Sequence, residues 1–98
     1  MLRLTETEVK KRLSNLRGWN LVAGKLHVEY KFGDFLSAFE FMIKLSKTVN
    51  KLDHHPEWSN SYNKVSISLV THSAKGITEL DFTLAKAAAE LYKDYLPD

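Results

Sequence analysis

Apolar and polar residues follow two different periods along this chain, and the points where the period changes divide it into helix-like and strand-like segments. Thr5 and Glu8 form a capping-box pair flanked by Leu4 and Val9 as a hydrophobic staple, which predicts a first helix ending before Gly18. Trp19 to Val22 and Lys25 to Phe32 read as strands, and the Ala23-Gly24 pair between them suits a tight hairpin. Asp34 is placed to N-cap a long helix from Phe35 to about Lys51. Trp58 to Tyr62 and Lys64 to Thr71 make a second hairpin, in which Val65, Ile67 and Leu69 alternate with Ser66 and Ser68. Beyond Lys75-Gly76, Thr78 and Asp81 form a second capping box opening a last helix, with Phe82, Ala85, Ala88, Ala89, Tyr92 and Tyr95 facing inward and Pro97 stopping it. The order α-β-β-α-β-β-α predicts an α+β fold: a four-stranded antiparallel sheet, three helices packed on one face, and the other face partly open.

One segment does not fit that scheme as a closed monomer. The apolar set of the long helix (Phe35, Leu36, Ala38, Phe39, Phe41, Met42, Ile43, Leu45, Val49, Leu52) spans well over half its circumference, whereas a helix lying on one sheet needs a stripe only somewhat wider than about 100°. A second cover is therefore expected, from another helix or another subunit. Asn50 falls inside the same arc and is expected to face inward.

Composition narrows the picture. The 98 residues suit one domain with a small core, and 44% hydrophobic with 27% charged residues is ordinary for a globular chain. The net charge of +2 is dispersed, and Lys10-Lys11-Arg12 is read as the wet face of the first helix, so no nucleic-acid partner is expected. The absence of cysteine removes thiolate nucleophiles and fits a reducing compartment, giving the cytoplasm as the expected location. No apolar run reaches the roughly 18 residues of a membrane span, and the first residues lack the apolar stretch of a signal peptide, so no membrane partner is expected.

Candidate chemistry lies in His54, His55 and His72, three of the four histidines of the chain. Imidazole both gives and takes protons near neutrality, so the cluster suggests acid/base work or a metal site. Imidazole and carboxylate together could bind zinc, but adjacent histidines diverge and the spacing is no metal-site signature, so no metal is expected. His55 precedes Pro56, which biases it to an extended backbone and stiffens the loop after the long helix. His27, alone in a strand, is read as structural. Trp58 is large enough to serve core packing. Asp81 has a complete structural role as a capping residue.

Asp53-His54-His55-Pro56-Glu57-Trp58, with Leu13-Ser14-Asn15-Leu16, Gly18-Trp19, Phe32-Gly33-Asp34-Phe35, Ala38-Phe39-Glu40-Phe41-Met42, Tyr62-Asn63-Lys64-Val65, Thr71-His72 and Asp81, resembles the pterin-4a-carbinolamine dehydratase family over most of the chain. The resemblance implies that residues 1–98 form one such domain, a lyase that dehydrates 4a-hydroxytetrahydropterin to quinonoid dihydropterin in the recycling of tetrahydrobiopterin-type cofactors. It implies acid/base roles for His54 and His72, whose order is left open, pterin binding by His55, and substrate contacts from Asp53, Trp58, Thr71, Asp81 and Asn50. No cofactor is required, because a proton leaving N5 while the 4a hydroxyl departs as water needs only two proton-handling groups. A homodimer or homotetramer built through helix and sheet-edge contacts is also implied. The alternative from another class is a regulatory or assembly protein of the same fold, akin to the dimerisation cofactors of transcription factors among animal relatives. Asn50 stands where relatives usually carry an acidic or other charged residue, and Val70 where animal relatives have serine.

Overall fold

The computed structural model describes residues 1–97. Its elements run α1 (Glu6–Leu13), β1 (Asn20–Val22), β2 (Lys25–Lys31), α2 (Phe35–Leu52), β3 (Glu57–Ser61), β4 (Lys64–Leu69) and α3 (Glu79–Tyr92), with short 3-10 turns at His72–Ala74 and Lys93–Tyr95. The predicted α-β-β-α-β-β-α order holds.

The strands form one antiparallel sheet in the order β1-β2-β4-β3, so the two hairpins meet through β2 and β4. Register explains which face is dry. Leu26 opposes Leu69, Val28 opposes Ile67 and Tyr30 opposes Val65, and all six are buried. The intervening pairs His27–Ser68 and Glu29–Ser66 lie on the other, partly open face. The first hairpin turns through Ala23 and Gly24, both at positive φ (50° and 77°), as a two-residue turn of matching twist demands. The second turns through Tyr62 and Asn63, with Tyr62 at φ 51°.

Both capping boxes form. The Thr5 hydroxyl accepts from the Glu8 amide at 3.1 Å while Glu8 accepts from the Thr5 amide at 3.0 Å. Asp34 caps α2 by accepting from the Ser37 amide at 2.8 Å. Helix α2 sends Ala38, Phe41, Leu45 and Val49 into the core and α3 sends Phe82, Leu84, Ala85 and Ala88, while Ala89, Tyr92 and Tyr95 are half-buried. The rings of Tyr30 and Tyr92 stack at 4.0 Å between centroids. The wide apolar girth of α2 remains only partly covered: Leu36 is 75%, Ile43 51%, Phe39 47% and Phe35 41% exposed.

Candidate active site

Helix α2 ends in a turn that throws the chain back under its own last residues. Asp53 adopts the left-handed conformation (φ 51°, ψ 43°), its amide donates to the Asn50 carbonyl, and the His54 amide reaches the Val49 carbonyl at 3.2 Å. This is the paired bonding of a Schellman motif, with aspartate in the position glycine usually holds. The turn carries the His54 ring inward, where it is buried, and leaves Asp53 and His55 exposed.

The ring meets the start of α3. His54 Nε2 lies 2.6 Å from Asp81 Oδ1. The other carboxylate oxygen of Asp81 accepts from the Thr71 hydroxyl at 2.8 Å and from the Thr78 amide at 2.9 Å. A carboxylate only accepts, so the proton on the ring sits at Nε2. Among the described residues nothing hydrogen-bonds Nδ1, and no buried side-chain nitrogen or oxygen lacks a partner; Nδ1 is thus the nitrogen turned toward the outside. Asp81 itself is fully buried. The capping residue read from sequence is at the same time the residue that orients His54.

His72 follows Thr71 in a tight loop. Backbone bonds between Thr71 and Gly76 (2.9 and 3.3 Å) close the base of that loop, and Lys75 turns it at φ 57°. Arg3 fastens it from outside: its guanidinium donates to the Lys75 carbonyl at 3.2 Å, and its stem lies over Gly76 so closely that a Cβ there would meet Arg3 Cδ at 2.2 Å. His72 is exposed on this loop. Glu57, the residue after Pro56, bonds the Lys25 ammonium at 2.5 Å. That hydrogen bond holds the Glu57 carboxyl below its ordinary range, with a smaller pull from His72.

The fold therefore joins His54, Asp81 and Thr71 by direct hydrogen bonds and sets His72 beside Thr71, with His55 next to His54. Trp58 lies half-buried on the edge strand β3 opposite Ile67, packed on the core with its remaining surface open. One expectation needs correction. Asn50 does not face inward: it is exposed on the last turn of α2, because the stripe that α2 buries runs through Leu45 and Val49 and leaves the neighbouring arc outside. Thr71, by contrast, is buried, and its hydroxyl donates to Asp81 inside the protein. The sequence pattern gives Thr78 only as a cap, yet its hydroxyl also bonds Thr71 at 2.8 Å; its position flanking the His72 loop opposite a second threonine is the available signal. Among the described residues, no three His, Asp or Glu side chains gather as a metal-binding group. A cleft of about 870 Å³ lined by Leu16, Val28, Tyr30, Ala89 and Tyr92 among others contains no histidine.

Residues 2–91 match the family model for pterin 4 alpha carbinolamine dehydratase. The chain belongs to that family. It is similar to a Solibacter usitatus protein provisionally named a pterin-4-alpha-carbinolamine dehydratase, at 48% identity over 85% of this chain and 87% of that one. A Brucella ovis protein of the same provisional name is 48% identical over 86% and 89%. The crystal structure described as a transcriptional coactivator/pterin dehydratase from Brucella melitensis superposes with a TM-score of 0.87 at 45% identity, covering 91% of this chain and 97% of that one. The family is one of dehydratases, and no helix of the described residues is long and apolar enough to cross a membrane.

Proposed function

We propose that the protein dehydrates 4a-hydroxytetrahydropterin to quinonoid dihydropterin, with His54 and His72 exchanging the protons and His55 and Trp58 contributing to the pterin site. The observation that carries this reading is the His54–Asp81 pair at 2.6 Å. It fixes the ring as the Nε2–H tautomer, presents Nδ1 as an acceptor, and places a carboxylate beside the ring for the moment it holds a second proton. In this scheme His54 Nδ1 removes the proton from N5, and His72 donates to the departing 4a oxygen, which leaves as water. The electrons of the N5–H bond form the new C4a=N5 double bond as the C4a–O bond breaks, so the step is balanced without a redox partner. This order of roles rests on the contrast between a buttressed, buried ring and an exposed one.

Purified protein should accelerate loss of freshly generated 4a-hydroxytetrahydropterin above its spontaneous decay, with the rate unchanged by a strong chelator. His54→Ala and His72→Ala should each lower kcat by roughly 10² to 10³-fold. Mutant rates equal to wild type would remove these residues from the chemistry, and inactivation by chelator would favour a metal.

A second reading, self-assembly or partner binding through α2, is favoured by the exposed stripe of Phe35, Leu36, Phe39 and Ile43. Such a stripe is covered most simply by the same helix of a second copy, giving a dimer or tetramer. Light scattering at micromolar concentration tests it, and a clean monomer would overturn it.

A further inference from the structure

Thr71 is the residue immediately before His72, yet its side chain belongs to the surroundings of His54. It is 7% exposed. Its hydroxyl lies 2.8 Å from Asp81 Oδ2 and 2.8 Å from the Thr78 hydroxyl. The direction of every proton in this chain of bonds can be worked out. A carboxylate cannot donate, so the Thr71 proton goes to Asp81. The Thr78 hydroxyl must then donate to Thr71, while its own oxygen accepts from the Leu80 amide at 3.3 Å. The sequence of donors runs Leu80 amide, Thr78, Thr71, Asp81, and His54 donates to the same carboxylate from the opposite side.

We propose that Thr71 is a positioning residue that couples the two proton-handling histidines, setting the orientation of Asp81, and through it the His54 tautomer, while tethering the loop that carries His72. The tether is double. The Thr71 backbone closes the loop against Gly76 at 2.9 and 3.3 Å, and its hydroxyl holds that closure to the start of α3. The loop and the ring therefore share one buried carboxylate, and neither shifts without the other. Loss of the Thr71 hydroxyl strips Oδ2 of one of its two donors and leaves the Thr78 hydroxyl with no acceptor, which frees the carboxylate to rotate away from Nε2. A small residue with a hydroxyl at this position is thus required by the geometry, and the contact assigned to it is internal. The coupling rests on the acid/base reading above for its kinetic consequence but not for its structural one.

The experiment has two arms. In ligand-free protein, ¹⁵N NMR of the imidazoles should show neutral His54 as a single Nε2–H tautomer, and the Thr71 hydroxyl proton should be protected from exchange with water. Thr71→Val, nearly isosteric, should convert His54 to a mixture of tautomers, and Thr71→Ser should restore the single form. In the kinetic arm, Thr71→Val should lower kcat about tenfold, the rate equivalent of one lost hydrogen bond to a charged group, with KM changed less than twofold. A rise in KM with kcat preserved would show that the hydroxyl contacts substrate and would overturn the proposal, as would an unchanged His54 spectrum in Thr71→Val. If Thr71→Val does not fold, the wild-type hydroxyl decides: a rapidly exchanging proton there overturns the coupling. A wild type without dehydratase activity would sink the functional reading, while the imidazole spectra would still support or overturn the coupling by themselves.

Discussion

The chain writes the same helix-start motif twice and puts it to different uses. Thr5 and Glu8 close a box at the exposed start of α1, where each side chain accepts from the other's amide. Thr78 and Asp81 close the same box at the start of α3, but both residues are fully buried. Burial changes the chemistry because a carboxylate out of water must find all its partners in the protein. Asp81 finds them in the Thr78 amide, the Thr71 hydroxyl and the His54 ring. A cap costs little to build at a surface and does one thing there. The same cap in the interior becomes a junction, and the junction is what orients the His54 ring.

The largest separation between the two boxes should come from deleting their acids. Asp81→Ala leaves the His54 ring, the Thr71 hydroxyl and the Thr78 amide without their buried acceptor and should cost about 3 kcal/mol or more in urea unfolding, with kcat lowered along with the His54 variants. Glu8→Ala should leave kcat at the wild-type value. Equal unfolding midpoints for the two variants would mean that the Asp81 network contributes nothing beyond a cap. Next in size are the threonines. Thr5→Ala should cost about 1 kcal/mol, the usual effect of losing an N-cap. Thr78→Ala should cost about 2 kcal/mol or more, because it also leaves the Thr71 oxygen without its donor in a buried setting. A Thr78→Ala cost no larger than that of Thr5→Ala would reduce the second box to the first.

A third helix end sharpens the contrast by separating backbone from side chain. Asp53 holds a left-handed turn that glycine adopts without penalty. Asp53→Gly should therefore be neutral or stabilising, by about 0.5 to 1 kcal/mol, and should preserve the placement of His54. If KM rises all the same, the exposed carboxylate contacts the pterin, as the family resemblance implies. If KM holds, Asp53 serves the turn alone.

These cases also show what a sequence discloses. Both boxes, both hairpins and the alternation of burial along β4 are readable because each depends on residues within a few positions of one another: Thr78 and Asp81, Ala23 and Gly24, Val65, Ile67 and Leu69. The His54–Asp81 bond joins residues 27 positions apart, and nothing local distinguishes Asp81 from Glu8. Asn50 shows the converse error. A helical wheel gives the arc on which a residue lies but not which part of a broad arc the sheet occupies, and the core takes Val49 while leaving Asn50 outside. The excess apolar girth of α2, by contrast, is legible because it is a property of one helix, and the exposed Phe35, Leu36, Phe39 and Ile43 are its direct expression.

The smallest effect lies at the exposed box and concerns pH. The Glu8 carboxyl titrates below its ordinary value of 4.5, first because the Thr5 amide donates to it, and then through the Thr5 side chain. A carboxyl whose folded-state value is depressed adds stability that is present above its unfolded value and is lost as pH falls through the folded one. The start of α1 should accordingly fray on acidification with a midpoint below 4.5, read from the amide shifts of Glu6 to Leu13. Thr5→Ala should move the Glu8 midpoint upward toward the ordinary value, since it weakens the cap geometry that holds the carboxyl against the amide. Salt should alter this little, because hydrogen bonds rather than distant charges lead the shift. An unchanged midpoint in Thr5→Ala would mean that the reciprocal bonding of the first box is not what depresses Glu8, and the comparison between the two boxes would lose its simpler member.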